Sequence, residues 1–353
     1  MRDFRPGASG RSGVHRPSMN RFLLVIPAHN EAAHLPAVLA SIAAQRIERE
    51  RMRVVVVDDS SSDATGAVAL AWLAAEGIEG EVLRVDVRAI PRALNAGIAR
   101  ACPDEFVVRL DAHTTYGPDY LAHIDAAFER LGDTAWVVGG AQIPARAESF
   151  AHEVVVSLMT SRMGLGGAPF RTAREPMPTT SVYLGAFRPG VLQRVGGYNE
   201  AWLANEDAEL AARVTGAGGA IWWIPLESAY RINRGPFKSL AQLARYGYWR
   251  GRTLRVHPQL ARPRHLAPPL ALLAAAALVG FGAYRTLAIG AIAYAAAVVW
   301  SRPNDERPIT TLATLAFFPA AHATFALGLL RGLLVAGQPP PPPGPERRPG
   351  AES

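Results

Sequence analysis

Cysteine is almost absent: Cys102 stands alone among 353 residues. This excludes a disulfide framework and a cysteine-based zinc site, and it fits a reducing compartment. We expect Cys102 to lie in the core. Charge is also sparse, with 19% charged against 49% hydrophobic residues, a balance that points to segments buried in lipid. Residues 1–20 lack any apolar run, which excludes a secretory signal and leaves a basic, disordered leader. No base-stacking pattern is recognisable, so nucleic acid is not expected as a partner. The net charge of +7, with its arginines concentrated between Arg231 and Arg264, points instead to an anionic membrane surface.

What is present begins with short, wholly apolar runs. Phe22 to Ile26, ended by Pro27, reads as a strand buried on both faces, and a helical stretch follows from Leu35 to Gln45. Val54 to Val57 repeats the device, stops at Asp58-Asp59 and leads through Ser60 to Asp63 into a second helix. Val82 to Val85, Phe106 to Leu110, Trp136 to Gly140, Val182 to Phe187 and Ile221 to Pro225 are further strands. Helices are expected over Ala93–Ala101 and Tyr120–Leu131. The alternation predicts an α/β domain around a mostly parallel sheet, with its ligand crevice beyond the carboxyl ends of the strands. Ser161 to Glu175 reads as a long loop, either a lid or a disordered segment.

Beyond Pro236 the composition changes. Leu240 to Val256 interleaves Arg245, Arg250, Arg252 and Arg255 with Tyr246, Tyr248 and Trp249, as suits a helix at the headgroup level. Three uncharged stretches follow, Leu266–Tyr284, Thr286–Trp300 and Ile309–Leu330, of which the first and third are long enough to span a bilayer. The expected organisation is a leader (1–20), a catalytic domain (21–235), an interfacial segment (236–264), two or three spans (265–336) and a proline-rich disordered tail (337–353). Arginines ahead of the first span place residues 1–264 on the cytoplasmic side of the plasma membrane.

Several polar clusters sit where strands end. Asn205-Glu206-Asp207 opens a helix through an acidic turn, which favours ionised carboxylates and suits a base that takes a proton from a hydroxyl. The same acids could simply cap a surface helix and pair with Arg213. Asp58-Asp59 either ends a strand or faces the edge of a nucleobase. Asp111-Ala112-His113 brings a carboxylate and an imidazole to one strand end, where both can face a cation such as Mn²⁺ or Mg²⁺; read blandly, they belong to a turn.

In order, Pro27-Ala28-His29-Asn30-Glu31, Asp58-Asp59, Asn95-Ala96-Gly97, Asp111-Ala112-His113 and Asn205-Glu206-Asp207 resemble family 2 glycosyltransferases of the GT-A fold. The resemblance runs from Phe22 to His257. Gly185-Ala186-Phe187-Arg188, Gly196-Gly197-Tyr198, Arg245-Tyr246-Gly247 and the prolines at 263, 268 and 269 are similar to membrane-attached enzymes of succinoglycan-type exopolysaccharide synthesis. The resemblance implies that Pro27, His29, Asn30, Glu31, Asn95, Asp111 and Asp59, or alternatively Asp58, bind the donor nucleotide, a UDP-sugar being favoured. It implies a metal on Asp111 and His113, with histidine where the family carries a second acid. Asp207 matches the general base, with Glu206 beside it. Arg245, in an element resembling Gln-x-x-Arg-Trp, is either a contact to the departing diphosphate or an interfacial arginine.

The resulting expectation is an inverting, metal-dependent transfer of one sugar from a nucleotide-diphosphate sugar to a glycan acceptor, carried on polyprenyl diphosphate at the inner leaflet. Alternatives are transfer to polyprenyl monophosphate and a non-catalytic nucleotide-sugar-binding scaffold.

Overall fold

The computed structural model describes residues 20–165, 175–232, 235–302, 306–335 and 337. The expected leader and proline-rich tail, and most of the loop expected after Ser161, lie outside these residues. In chain order the elements are β1 (Phe22–Ala28), α1 (Leu35–Ala43), β2 (Met52–Asp59), α2 (Thr65–Glu76), β3 (Glu79–Val85), α3 (Ile90–Ile98), β4 (Phe106–Arg109) and β5 (Thr114–Tyr116). Next come α4 (Tyr120–Leu131), β6 (Ala135–Gly140), α5 (Phe150–Thr160), β7 (Met177–Thr179), β8 (Tyr183–Phe187), α6 (Val191–Val195), α7 (Glu206–Gly216), β9 (Ala220–Trp223) and β10 (Ser228–Tyr230). The last four are α8 (Pro236–Val256), α9 (Pro263–Gly280), α10 (Tyr284–Ser301) and α11 (Pro308–Leu334).

Eight strands form one sheet in the order β3-β2-β1-β4-β8-β6-β9-β7. The apolar runs occupy its centre because strands covered on both faces by helices need apolar side chains on both. Leu24, Ile26, Val54 and Val56 face one core layer, and Leu23, Val25, Val55 and Val57 the other. The sheet is mixed rather than mostly parallel beyond β4: β8 runs antiparallel between β4 and β6, and β7 antiparallel to β9. Pro27 lies within β1 rather than ending it, paired with Val57. It is tolerated there because the pairing of β1 with β4 stops at Val25↔Arg109, so its missing N–H leaves no ladder bond unmade.

Cys102 is exposed, not in the core. It sits in the turn between α3 and β4, where its backbone N–H donates to Glu105.

Two helices among the described residues are long and apolar enough to cross a membrane, α10 with 18 residues and α11 with 27. The expected first span differs. Pro263, Arg264, His265, Pro268 and Pro269 occupy the opening turns of α9, and a turn at Gly282, with φ +66°, ends the helix before the uncharged stretch does. The stretch Thr286–Trp300, expected to be short, gains length because α10 starts at Tyr284.

Helix α8 does not simply lie on a surface. It packs against α11 with backbone touching backbone: a Cβ on Gly247 would stand 2.1 Å from the Phe325 carbonyl oxygen, and one on Gly332 would stand 2.0 Å from that of Tyr248. Gly251 and Gly328 are as closely faced, by Leu329 and Ala244. Positions rise together along both helices, so they run parallel. Small residues four apart on each permit this approach. Substituting Gly332→Val should force the pair apart and lower stability by about 1–3 kcal/mol or more. Gly280→Ala, which meets nothing within 4 Å, should leave the thermal unfolding midpoint in detergent nearly unchanged.

Candidate active site

The parallel register of β1, β2 and β4 brings three loops to one edge of the sheet: Ala28 pairs with Asp58, and Val25 with Arg109. After β1, Asn30 adopts a left-handed backbone at φ 55°, tolerable for asparagine. The turn is tied to the loop after β2. The Asn30 N–H donates to Ser61 Oγ at 3.0 Å, and Asn30 Oδ1 accepts from the Ser62 N–H at 2.8 Å. The Glu31 N–H donates to Thr65 Oγ1 at 2.8 Å, and His29 Nδ1 lies 2.6 Å from the Asp59 carbonyl oxygen. Asp59 Oδ1 accepts two backbone N–H groups, from Val87 and Arg88, each at 2.9 Å. One carboxylate oxygen is thereby fixed by the chain after β3.

The centre of the site is Arg109, the last residue of β4, buried to 7% exposure. Its Nη1 donates to Glu206 Oε1 at 3.0 Å and to Asp207 Oδ1 at 2.5 Å, while Nη2 lies 3.7 Å from Asp111 Oδ1. The guanidinium also stands over the Tyr198 ring, 5.8 Å from its centroid, and the Tyr198 hydroxyl donates to Asp207 Oδ1 at 3.2 Å. Burial works against the charge on Arg109, but Asp207, Glu206 and Asp111 outweigh it and hold the pKa above its ordinary value. Burial, together with the charges of Glu206 and Asp111, raises Asp207 to about 6 against the opposing pull of Arg109 and Tyr198. The Asp207 side chain remains 32% exposed, and its Oδ1 accepts hydrogen bonds from both Arg109 and Tyr198.

Helix α7 delivers these acids because its N-cap, Asn205, takes a left-handed conformation at φ 59°. The Asn205 side chain donates to the Tyr246 carbonyl of α8 at 3.1 Å, which fastens the acidic turn to the C-terminal helices.

Asp111 is oriented from two sides. The Tyr183 hydroxyl donates to its Oδ2 at 2.7 Å, and its own N–H donates to the Tyr116 hydroxyl at 2.8 Å. Burial first, and then Asp111, raises both phenols above their ordinary range, so they stay protonated donors. His113 Nδ1 lies 3.2 Å from Glu31 Oε1, and its ring meets Tyr230 edge-on at 5.1 Å. Tyr230 is held there by the pairing of β10 with β5.

Among the described residues no three His, Cys, Asp or Glu side chains gather as a ready-made metal cage. The donor set of Asp111 and His113 still suits a cation that takes further oxygens from a ligand. Three carboxylates around one guanidinium, three negative charges against one positive, leave two uncompensated.

Three further residues of the expected site have surroundings of their own. Asp58 is buried at 3%, and its Oδ1 accepts the Ser61 N–H at 3.0 Å, so it shapes the loop after β2. Asn95 accepts from the Tyr198 N–H and donates to the Tyr198 carbonyl, both at 2.8 Å, and so holds the Tyr198 turn. Arg245 is exposed on α8. Conversely, the sequence alone assigns no role to Arg109, Tyr183 or Tyr116, and it marks Tyr198 only as part of the Gly196-Gly197-Tyr198 turn. A signal existed for the first: one arginine inside the apolar run Phe106 to Leu110 needs a buried acid.

Residues 23–192 match the family described as Glycosyl transferase family 2. The chain is 28% identical over 323 residues to the succinoglycan biosynthesis protein ExoA of Rhizobium meliloti, a match covering 88% of this chain and 94% of that one. It is 25% identical over 213 residues to the probable glycosyltransferase YdaM of Bacillus subtilis, covering 57% of this chain and 48% of the other. A mannosyltransferase from Pyrobaculum calidifontis, solved with GDP-mannose and Mn²⁺, superposes with a TM-score of 0.57 at 21% identity, over 90% of this chain and 88% of that one. The mixed eight-stranded sheet is therefore of the GT-A type, and the chain is a glycosyltransferase that matches family 2 over residues 23–192, just under half of its length.

Proposed function

We propose that this enzyme moves a single sugar, with inversion, from a nucleoside-diphosphate sugar to a lipid-linked glycan acceptor during exopolysaccharide synthesis at the plasma membrane. The observation that carries this reading is the convergence of Asp111, Glu206 and Asp207 on Arg109 at the edge of the sheet where the loops of His29–Glu31 and Asp59 also arrive. In this reading the nucleotide lies along the loops after β1 and β2. The other oxygen of Asp59 faces the base, and His29, Asn30 and Glu31 line the pocket. Similarity to a succinoglycan biosynthesis protein supports the exopolysaccharide context, and α10 and α11 support attachment to a membrane.

Asp207 acts as general base. Arg109 and the Tyr198 hydroxyl hold Oδ1, so Oδ2 takes the proton of the attacking hydroxyl while the oxygen displaces the diphosphate from the opposite side of the anomeric carbon. Glu206 shares Arg109 and keeps the local charge negative, which maintains the basicity of Asp207. Asp111 and His113 would hold a divalent cation, Mn²⁺ or Mg²⁺, which when bound neutralises charge on the leaving nucleoside diphosphate. The Tyr183 hydroxyl keeps one oxygen of Asp111 fixed and the other turned away from it.

Four outcomes are expected. Asp207→Asn should lower turnover about 100-fold or more while leaving nucleotide binding intact, measured with radiolabelled sugar nucleotides; near-normal turnover would remove Asp207 as base. In the wild type, kcat/KM should fall as pH drops below about 6, because the base must be ionised. In Tyr198→Phe this acid limb should move to higher pH, since the lost hydroxyl stabilised the ionised form. Chelation should abolish transfer, and added Mn²⁺ or Mg²⁺ should restore it. Product formed only on polyprenyl monophosphate would replace the proposed acceptor, and nucleotide binding without any transfer would favour a scaffold.

A further inference from the structure

The turn that carries Tyr198 is held by a side chain from another helix. Helix α6 is followed by two left-handed glycines, Gly196 at φ +77° and Gly197 at φ +65°, and the chain then enters the core with Tyr198 wholly buried. Asn95, on α3, meets Tyr198 along its backbone rather than its ring. Asn95 Oδ1 accepts the Tyr198 N–H and Nδ2 donates to the Tyr198 carbonyl, both at 2.8 Å. Nδ2 also donates to Glu200 Oε1 at 3.2 Å, so both amide hydrogens are engaged. Arg92, one turn earlier on α3, stands 3.6 Å from the other oxygen of Glu200.

Pairing with both the N–H and the C=O of one residue takes a donor and an acceptor on one short planar group; aspartate lacks the donor, and serine carries only a single polar atom. The glycine before Tyr198 belongs to the same fit, because a Cβ on Gly197 would stand 2.8 Å from Asn95 Oδ1. The clamp fixes the Tyr198 backbone. Its ring then packs edge-on to Phe187 at 6.5 Å and brings the hydroxyl to Asp207 Oδ1 at 3.2 Å. The charged and titratable groups facing Asp207 are Arg109 on β4, Asp111 just after it, Glu206 on α7 and this hydroxyl. Among them Tyr198 is the neutral donor, and burial together with Asp207 raises its pKa well above the ordinary phenol range, so it stays protonated.

We propose that Asn95 is a positioning residue for the general base: by clamping the Tyr198 backbone it keeps the phenol hydroxyl on Asp207 Oδ1 and so sets how readily that carboxylate takes a proton. Asn95 touches no reacting atom; it acts through Tyr198. Its catalytic meaning rests on the role of Asp207 as base proposed above, whereas the clamp itself does not. The direction of the effect follows from the chemistry. A donor to the ionised carboxylate favours that form, so when the clamp is cut and the hydroxyl drifts, Asp207 takes up its proton at higher pH. Asp207 stands at about 6, and a rise from there carries its titration into the neutral range.

The test follows Asp207 itself by ¹³C NMR, in the full chain in mild detergent labelled at its aspartate carboxyl carbons, with the signal assigned by its loss in Asp207→Asn. In Asn95→Ala the titration midpoint of Asp207 should rise by about 0.5–1 pH unit, the worth of one hydrogen bond. Tyr198→Phe should raise it as much, and the double variant no further. UDP and GDP affinity, measured by calorimetry, should match the wild type in Asn95→Ala. If Asn95→Ala does not fold, judged by thermal unfolding, Asn95→Asp keeps the acceptor for the Tyr198 N–H and loses the donor; part of its shift should vanish when Tyr198→Phe is added. An unmoved midpoint, or a shift that persists in full beside Tyr198→Phe, would overturn the proposal. A loss of about tenfold or more in UDP or GDP affinity would make Asn95 a nucleotide contact and overturn it as well. The acid limb of kcat/KM, measured with a radiolabelled UDP-sugar, keeps the two assignments apart: a midpoint that moves while the limb stays in place counts against Asp207 as the base and leaves the action of Asn95 on Asp207 standing.

Discussion

The structure turns on one buried cation. Arg109 sits at the end of a central strand with Asp111 two residues after it and Glu206 and Asp207 reaching it from α7. Taking a guanidinium out of water is costly, and the cost is offset only if carboxylates meet it with good geometry. The requirement works in both directions: Glu206 and Asp207 could not enter the interior without Arg109, and Arg109 could not remain there without them. Removing either side leaves an uncompensated buried charge, a loss of about 3–5 kcal/mol in comparable pairs. The ion cluster thus fixes the distance between the sheet and α7 and holds the acids of the site together.

The cluster is itself braced from the far end of the chain. Asn205 donates to α8, Trp202 donates through its indole N–H to Thr253 of α8 at 2.9 Å, and Leu254 packs with Ala212 of α7. Helix α8 is in turn locked to α11 through glycines that admit no Cβ. A continuous chain of contacts therefore runs from one of the two long apolar helices to the turn that presents Asp207. The catalytic domain and the C-terminal helices are mechanically one unit along this line, so the apolar helices help to set the position of the acidic turn.

Much of this architecture was readable beforehand. Runs such as Val54 to Val57 have no polar face, so they could only be strands covered on both sides, and their loops had to gather at one edge. The acids at 59, 111 and 207 followed from that argument and from the ordered motifs. Arg109 reads locally as one residue of a strand, although a lone arginine in an apolar run demands partners. Tyr183 gave no local signal, because an aromatic in a strand serves equally well as core, and Tyr198 showed only as part of the Gly196-Gly197-Tyr198 turn. The antiparallel insertion of β8 was also invisible, since an apolar strand reads the same in either direction.

The linear chain by itself determined the central apolar strands, the helices between them and which loops carry acids, though not α5 or the short strands β5, β7 and β10, because periodicity and burial on two faces are properties of neighbouring residues. Only the tertiary structure decided which of those acids share a cation, that Asn95 braces the Tyr198 turn, and that α8 packs on α11 rather than lying alone at a surface. Those outcomes depend on contacts between residues as far apart as Arg109 and Asp207, or Gly247 and Phe325, whose pairing is set by the packing of whole layers and leaves no trace in local sequence.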